Sequence, residues 1–405
     1  MLSKTRNILR PSRIALVALL FVSVVAVIGC MSQAPSRGWS GPLVDDNVVY
    51  VGTIDGKVIA LDATDVGGDR LVWAKEVADP TGGGGFLTCG RFSQPMGVYG
   101  TPVVKDGRVY VGGYDEAGSV LYIRIDDGSM SDAFETGGAI VGSPVVDGDT
   151  LYVGSSNGKL YALSLDLNER WSFRTGDKIW STAEVSNGAV YVGSADHNLY
   201  ALDAETGREI WHFETEGAIL STPLVVDGTV YIGSNDRKFY AIEAVTETER
   251  AAAAARQDGE SAPQKNPRAV FDGAGNWFWT QALAYNGEIW VGCLDHNVYV
   301  LDGESLGEIR RYETEGIVQT PPVLLEGRVV VGSEDGNVYA FDPVNKDAGP
   351  EILYSFEVPI LAPMYPDAGN GILYIHAQDG THTLYALRVA TGEIVWSFRT
   401  DKING

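Results

Sequence analysis

Residues Ser221 to Ala241 read STPLVVDGTVYIGSNDRKFYA, and the chain writes that sentence eight times. Gly100 opens another copy, GTPVVKDGRVYVGGYDEAGSVLY, and Ser181 a third, STAEVSNGAVYVGSADHNLYALDAETGREIWHF. Short runs of Val, Ile and Tyr alternate with Asp-Gly or Asn-Gly pairs. β-Branched and aromatic residues fit a pleated surface, and the Gly-containing pairs supply the positive φ angles of tight hairpins. A small residue closes the second run of each copy: Gly52, Gly112, Gly154, Gly193, Gly233, Gly292 and Gly332, with His376 in the last. These anchors lie 39 to 44 residues apart, except for two gaps of 59 and 60 that mark insertions.

Each copy predicts four antiparallel strands. The turn between the first and second is Asp106-Gly107, Asp147-Gly148, Asn187-Gly188, Asp227-Gly228, Asn286-Gly287, Glu326-Gly327 or Asn370-Gly371, with Asp46-Asn47 in the first copy. Three residues after the anchor sits Asp55, Asp115, Asn157, Asp196, Asp236, Asp295, Asp335 or Asp379, in the turn to the third strand. A Thr-Gly pair such as Thr206-Gly207 leads into the fourth. Eight repeats of four strands predict an all-β chain folded as one eight-bladed β-propeller over residues 39–400. The Gly-His and Trp-Asp dipeptides of WD40 repeats and the double glycine of kelch repeats are absent.

The segment Ala201-Leu-Asp-Ala-Glu-Thr-Gly-Arg-Glu-Ile-Trp211, and its eighth-copy counterpart ending in Trp396, resemble the tryptophan-docking motif of PQQ-type repeats. Such repeats build the propellers of quinoprotein dehydrogenases and of BamB-type lipoproteins of outer-membrane β-barrel assembly. The resemblance implies that Trp73, Trp171, Trp211 and Trp396 lie flat between neighbouring blades. Burying about 200 Å² of indole at roughly 25 cal/mol/Å² stabilises a joint by at most about 5 kcal/mol. The other copies depart, with Ala133, Arg310 and Tyr354 in the slot, and Val270 or Phe271 after the insertion of copy five. Weaker joints are expected there.

The formal net charge of −23 disfavours nucleic acid and anionic lipid headgroups as partners. Three cysteines, Cys30, Cys89 and Cys293, are too few for a disulfide framework. No CxxC, Walker loop, nucleophile elbow, HExxH or EF-hand loop occurs.

Lys4, Arg6, Arg10 and Arg13 precede an apolar run from Ile14 to Ile28, too short to span a bilayer and suited to a signal peptide over residues 1–29. The run closes in Val27-Ile28-Gly29-Cys30, which resembles the bacterial lipobox. The resemblance implies lipidation of Cys30 and cleavage before it. The expected location is extracytoplasmic, on the periplasmic side of an outer membrane or at the cell surface where there is one membrane. Residues 30–38 then form a tether and 401–405 a tail.

In PQQ-type propellers the first strand is innermost, so its start borders the central channel. The positions there differ between copies: Trp39, Tyr99, Val141, Trp180, Leu220, Trp279 and Gln319. The aromatics among them, with Asp196-His197 and Asp295-His296 in the adjoining turns, form the candidate partner-binding surface. The two Asp-His pairs stand two blades apart, too far to share one ion, so no metal site is expected. Residues 79–98, with four consecutive glycines, are expected as a loop over the mouth, and a Cys89–Cys293 bridge stays open. Residues 245–268 are expected as a short helix from Thr246 to Gln257 followed by a polar loop, Asp258 to Pro267.

The expected function is a monomeric, non-enzymatic scaffold that binds an envelope protein, with a barrel-assembly machine as the partner the resemblance implies. No cofactor is expected. The alternatives are a quinoprotein dehydrogenase, which would need PQQ and Ca²⁺ and for which no adjacent cysteine pair exists, and a propeller binding surface glycan or peptide.

Overall fold

The paired turn residues adopt the left-handed backbone that closes a two-residue hairpin. In the computed structural model Asp106 and Gly107 have φ of 50° and 71°, and Asn187-Gly188, Asp227-Gly228, Asn286-Gly287 and Glu326-Gly327 repeat the pair. Positive φ at both central residues matches the right-handed twist of the flanking strands. Each turn therefore folds a three-residue first strand onto a longer second one, as Leu224–Val226 pairs with Thr229–Gly233. The structure describes residues 40–64, 70–77, 97–257, 259–345, 347–377, 383–399 and 403. The chain divides into two units, Met1–Arg37 and Gly38–Gly405, and only the second contains described residues.

Among the described residues this unit forms eight antiparallel sheets, each a meander in chain order. They are the blades of an all-β propeller, spanning residues 43–76, 97–135, 145–174, 184–214, 224–271, 283–313, 323–355 and 365–399. Seven have four strands. Blade two has a fifth, because Gly97–Val98 pairs with its long second strand, Arg108–Tyr114. Strand structure therefore begins inside the segment expected as a loop; residues 78–96, including Cys89, lie outside the described residues.

The anchor glycines have a packing reason. A Cβ on Gly193 would lie 2.3 Å from Ile219 Cγ2, and one on Gly154 would lie 2.4 Å from Ile179 Cγ2. Val98, Ile140, Phe278, Val318 and Ile360 crowd Gly52, Gly112, Gly233, Gly292 and Gly332 in the same way. The segment that joins one blade to the next thus drops an apolar side chain onto the second strand, and only a bare backbone leaves room for it.

In blade eight the anchor is His376, and there the ring closes. Blades one and eight are each built from their own consecutive strands, so no strand is exchanged between them. Side chains hold the seam instead. His376 Nδ1 lies 3.0 Å from the Ser40 carbonyl, and the Tyr365 hydroxyl donates to the Val44 carbonyl at 3.2 Å. The Arg70 guanidinium sits 4.7 Å over the Trp396 ring, and Val51, Ile59, Tyr374 and Leu384 pack between the two sheets.

Helix α1 (Glu247–Ala255) follows blade five's third strand, capped by Thr246 and Glu249 in a reciprocal capping box. The residues after it form a loop, as expected, and it is tied to blade four. The Pro263 carbonyl accepts from His212 N, and Lys265 N donates to His212 O at 2.7 Å. The segment thus runs along the outer strand of blade four, covering an edge that would otherwise expose a row of backbone groups. Trp211 beneath it is wholly buried. No helix among the described residues is long and apolar enough to cross a membrane.

Candidate functional site

The four docking tryptophans occupy equivalent places. Trp73, Trp171, Trp211 and Trp396 pair across their blades with Ala60, Ala162, Ala201 and Ala386. Each tilts against a tyrosine of its own second strand: Tyr50, Tyr152, Tyr191 or Tyr374. Trp171 shows the docking. Its indole lies against Gly207 of the next blade, where φ is +69° and a Cβ would fall 2.5 Å from the ring. Its Nε1 donates to the Ala204 carbonyl at 3.1 Å, and so does the Tyr152 hydroxyl.

Of the remaining slots, blade six holds Arg310 as expected, and those of blades two, five and seven differ from the expected assignment. The residue paired with Ala241 in blade five is Ala269, not Val270 or Phe271. In blade seven Tyr354 pairs with Val338, two residues beyond the slot. In blade two Phe134 pairs with Val120, so Ala133 is one residue out of place. These copies lack the Thr-Gly spacing, and in blade seven a β-bulge also shifts the register between the third and outer strands.

Blade six inverts the motif. Arg310 fills the slot, while the indole stands on the second strand as Trp290. The guanidinium lies 5.0 Å over that ring and pairs through both terminal nitrogens with Glu288, at 3.1 and 2.9 Å. Within blade six the slot thus holds a buried ion pair stacked on tryptophan, with Tyr312 parallel to the indole and Phe341 of blade seven against it.

At the ring's centre one open cavity gathers the starts of the first strands. Tyr99, Val141, Trp180, Trp279, Gln319 and Leu361 line it, with Thr101, Ser143, Thr182 and Gln281 between them. The structure thus brings together three of the four aromatics; Trp39 lies outside the described residues, as does Cys30. Leu220 is not part of the wall, and Leu361 takes the place that blade eight supplies. The rim is tied hydroxyl to amide around the ring: Ser143 Oγ accepts from Thr101 N, and Thr182 Oγ1 from Ser143 N, both at 2.9 Å. Trp180 Nε1 donates to Ser156 Oγ at 3.0 Å, and Lys178 Nζ lies 4.5 Å over its ring.

The turn aspartates serve the joints between blades. Asp196 accepts from the amides of Gly176 and Asn198, at 2.6 and 3.0 Å, and from the Tyr200 hydroxyl at 2.8 Å. Gly176 follows blade three, so the carboxylate clasps blade four to its predecessor. Asp295 repeats this with Gly275, Asn297 and Tyr299. Burial raises the pKa of Asp295, but the Tyr299 hydroxyl and the Gly275 amide outweigh it and hold the carboxyl below its usual range. Asp236 and Asp335 make the same clasp with Tyr240 and Tyr339. Asp196 and Asp295 therefore leave the candidate surface. His197 and His296, exposed with φ of 78° and 70°, occupy the position that is Gly56, Gly158 or Gly336 elsewhere. No three His, Cys, Asp or Glu among the described residues cluster to hold a metal ion.

Glu184 escaped the sequence reading. Burial pushes its carboxyl up to about 6, against a hydrogen bond from the Gln281 side chain that lowers it. The signal was present: the corresponding residues of the other copies are Leu43, Val103, Val145, Leu224, Leu283, Val323 and Tyr365. Cys293 is buried, its thiol 3.3 Å from the carbonyl oxygens of Asn276 and Trp277, and burial raises its pKa strongly.

Fold and site together define a class: an eight-bladed propeller of PQQ-type repeats with a closed ring and an aromatic-walled central mouth. A family model described as outer membrane protein assembly factor BamB matches residues 29–170 and 168–398. The chain belongs to that family. Among solved structures it is similar to BamB from Moraxella catarrhalis, with 13% identity, a TM-score of 0.61, and coverage of 89% of this chain and 95% of that one. It is also similar to the computationally designed Ika8 protein, with 15% identity, a TM-score of 0.61, and coverage of 75% and 87%. These likenesses show the fold. A search of curated protein sequences finds no match.

Proposed function

We propose that this chain is a non-enzymatic scaffold of the bacterial cell envelope, anchored by lipid at Cys30, which captures an envelope protein at its channel mouth. The observation that carries this reading is the wall of the central cavity. Three blade junctions contribute Tyr99, Trp180 and Trp279, and among the described residues the wall is lined by no Asp, Glu, Lys, Arg, His or Cys. Large aromatic side chains around a partly enclosed, neutral surface are what anchors a protein partner. His197 and His296 stand on turns of the same face, within reach of a partner that overhangs the mouth. The family's description, outer membrane protein assembly factor, supports a partner from that assembly, and the scaffold would act on the periplasmic side of that membrane as a monomer.

The same wall argues against a quinone site. PQQ carries three carboxylates and, among the described residues, would find only Lys178, beside Trp180, as a cation near the wall; Ca²⁺ prefers several oxygen ligands including carboxylates, and the described wall residues supply no carboxylate. The residues present do not fit that pair, and no oxidation is derived through them. Capture of partners from solubilised envelopes tests the reading. Trp180→Ala with Trp279→Ala should abolish capture while the melting temperature barely moves. Undiminished capture by the folded double variant would remove the mouth as the site.

A further inference from the structure

The central cavity is lined in two tiers. Tyr99, Val141, Trp180 and Trp279 belong to the first. Two residues further along the entering segments, blades two to five supply Thr101, Ser143, Thr182 and Thr222. Residues i and i+2 of an extended chain share a face, so a hydroxyl collar follows the aromatic one along the channel. Between the collars, backbone packs directly on backbone. A Cβ on Gly100 would fall 2.6 Å from Gly142 O, and one on Gly142 would fall 2.8 Å from Ser181 O. The spacing of the two collars is therefore fixed before anything binds, which lowers the ordering cost of binding.

The hydroxyl collar has donors to spare. Ser143 Oγ accepts from Thr101 N, and Thr182 Oγ1 from Ser143 N, both at 2.9 Å. A hydroxyl carries one proton and two lone pairs, so each bond leaves the O–H to donate. An acceptor brought in from outside suits it.

That acceptor should carry no charge. Charged residues stand close by on the connecting segments: Asp177 and Lys178 before Trp180, Asp272 before Trp279, Glu315 before Gln319. None of them joins the lining, although Lys178 touches the Trp180 ring. Burial does not force this choice, because Trp180, Thr182, Thr222, Trp279 and Gln319 are only half-buried and water reaches them. An extended polypeptide offers an uncharged acceptor, its backbone carbonyl, at every residue.

We propose that an uncharged, extended segment of the captured protein enters the channel, its side chains lying among Tyr99, Trp180 and Trp279 and its backbone carbonyls accepting from the hydroxyls of Ser143 and Thr182. The proposal rests on the mouth being the binding face and adds the chemistry of what passes through it.

The test places p-benzoyl-phenylalanine at position 180 of the full chain in cells, alone and together with Thr222→Asp or Thr222→Lys, and sequences the linked peptide by mass spectrometry. Either charge should lower the adduct yield at least about tenfold, since a neutral segment cannot compensate it. The linked residue and its immediate neighbours should include no Asp, Glu, Lys or Arg. Melting temperatures identify the folded variants, and Thr182→Asp with Thr182→Lys forms a second pair should the first not fold. A yield that rises with Asp and falls with Lys would mean that a basic group enters, and the reverse an acidic one. A yield unmoved by both would mean that nothing passes the aromatic collar. A glycan in place of a peptide in the adduct would equally overturn the proposal. In each of these cases the mouth still binds; the complete absence of an adduct from position 180 would remove the mouth reading as well.

Discussion

Replacing Glu184 by glutamine should make the protein more stable at neutral pH. The folded chain raises this carboxyl from 4.5 to about 6, so it holds a proton more firmly than the unfolded chain does. Below 4.5 the group is protonated in both states and the shift has no effect. As pH rises through the folded value, the native state must ionise a carboxyl that burial disfavours, and stability falls. The interval from 4.5 to about 6 corresponds to about 2 kcal/mol. Glu184→Gln keeps the shape and a hydrogen-bonding side chain but never ionises. Urea unfolding of both proteins should show the variant more stable by about 2 kcal/mol at pH 7.5, with the gap closing toward pH 4. Equal stability at pH 7.5, or a gap that does not depend on pH, would refute the reasoning.

Trp211→Ala should destabilise by about 3–5 kcal/mol, since it empties a fully buried site beneath the α1 insertion, and a urea titration measures this. Gly193→Ala drives a Cβ to 2.3 Å from Ile219 Cγ2 and 2.8 Å from Ile219 O, and should destabilise by about 1–3 kcal/mol. In an Ile219→Ala background, which removes Cγ2, the same glycine substitution should cost less; an unchanged cost would show that the crowding is not with this side chain. Cys293, buried with its thiol pushed up, should resist iodoacetamide in the native state and react only as fast as the protein unfolds, a rate that mass spectrometry follows.

The fold was legible because its repeat is written in turn chemistry. Asp-Gly and Asn-Gly fix local φ, and their spacing counts blades without reference to tertiary contact. The anchor glycines were equally visible, although their cause, an apolar side chain from the connecting segment, required the structure. Legibility failed where copies compensate each other. Arg310 reads as a lost tryptophan, while Trp290, a lone aromatic on the second strand, carries the stacking surface. Blades two, five and seven lack the Thr-Gly turn that marks the start of the outer strand in other copies, so counting misplaced their slots. At the mouth, strand alternation placed Tyr99, Trp180 and Trp279 together, because the start of every first strand faces the same end of the ring. It misread Asp196 and Asp295, since a turn aspartate that clasps the preceding blade looks in sequence like one that faces solvent. Glu184 was missed because attention fell on loop residues, while the departure lay inside a strand.

The account's central claim is that the partner meets the channel mouth. A photo-crosslinking amino acid placed at position 180 or 279 in living cells tests it directly, with position 309 on the exposed outer strand of blade six as the comparison. Both mouth positions should give a covalent adduct with the same envelope protein, and position 309 should give none. An adduct from position 309 with none from the mouth would contradict the account.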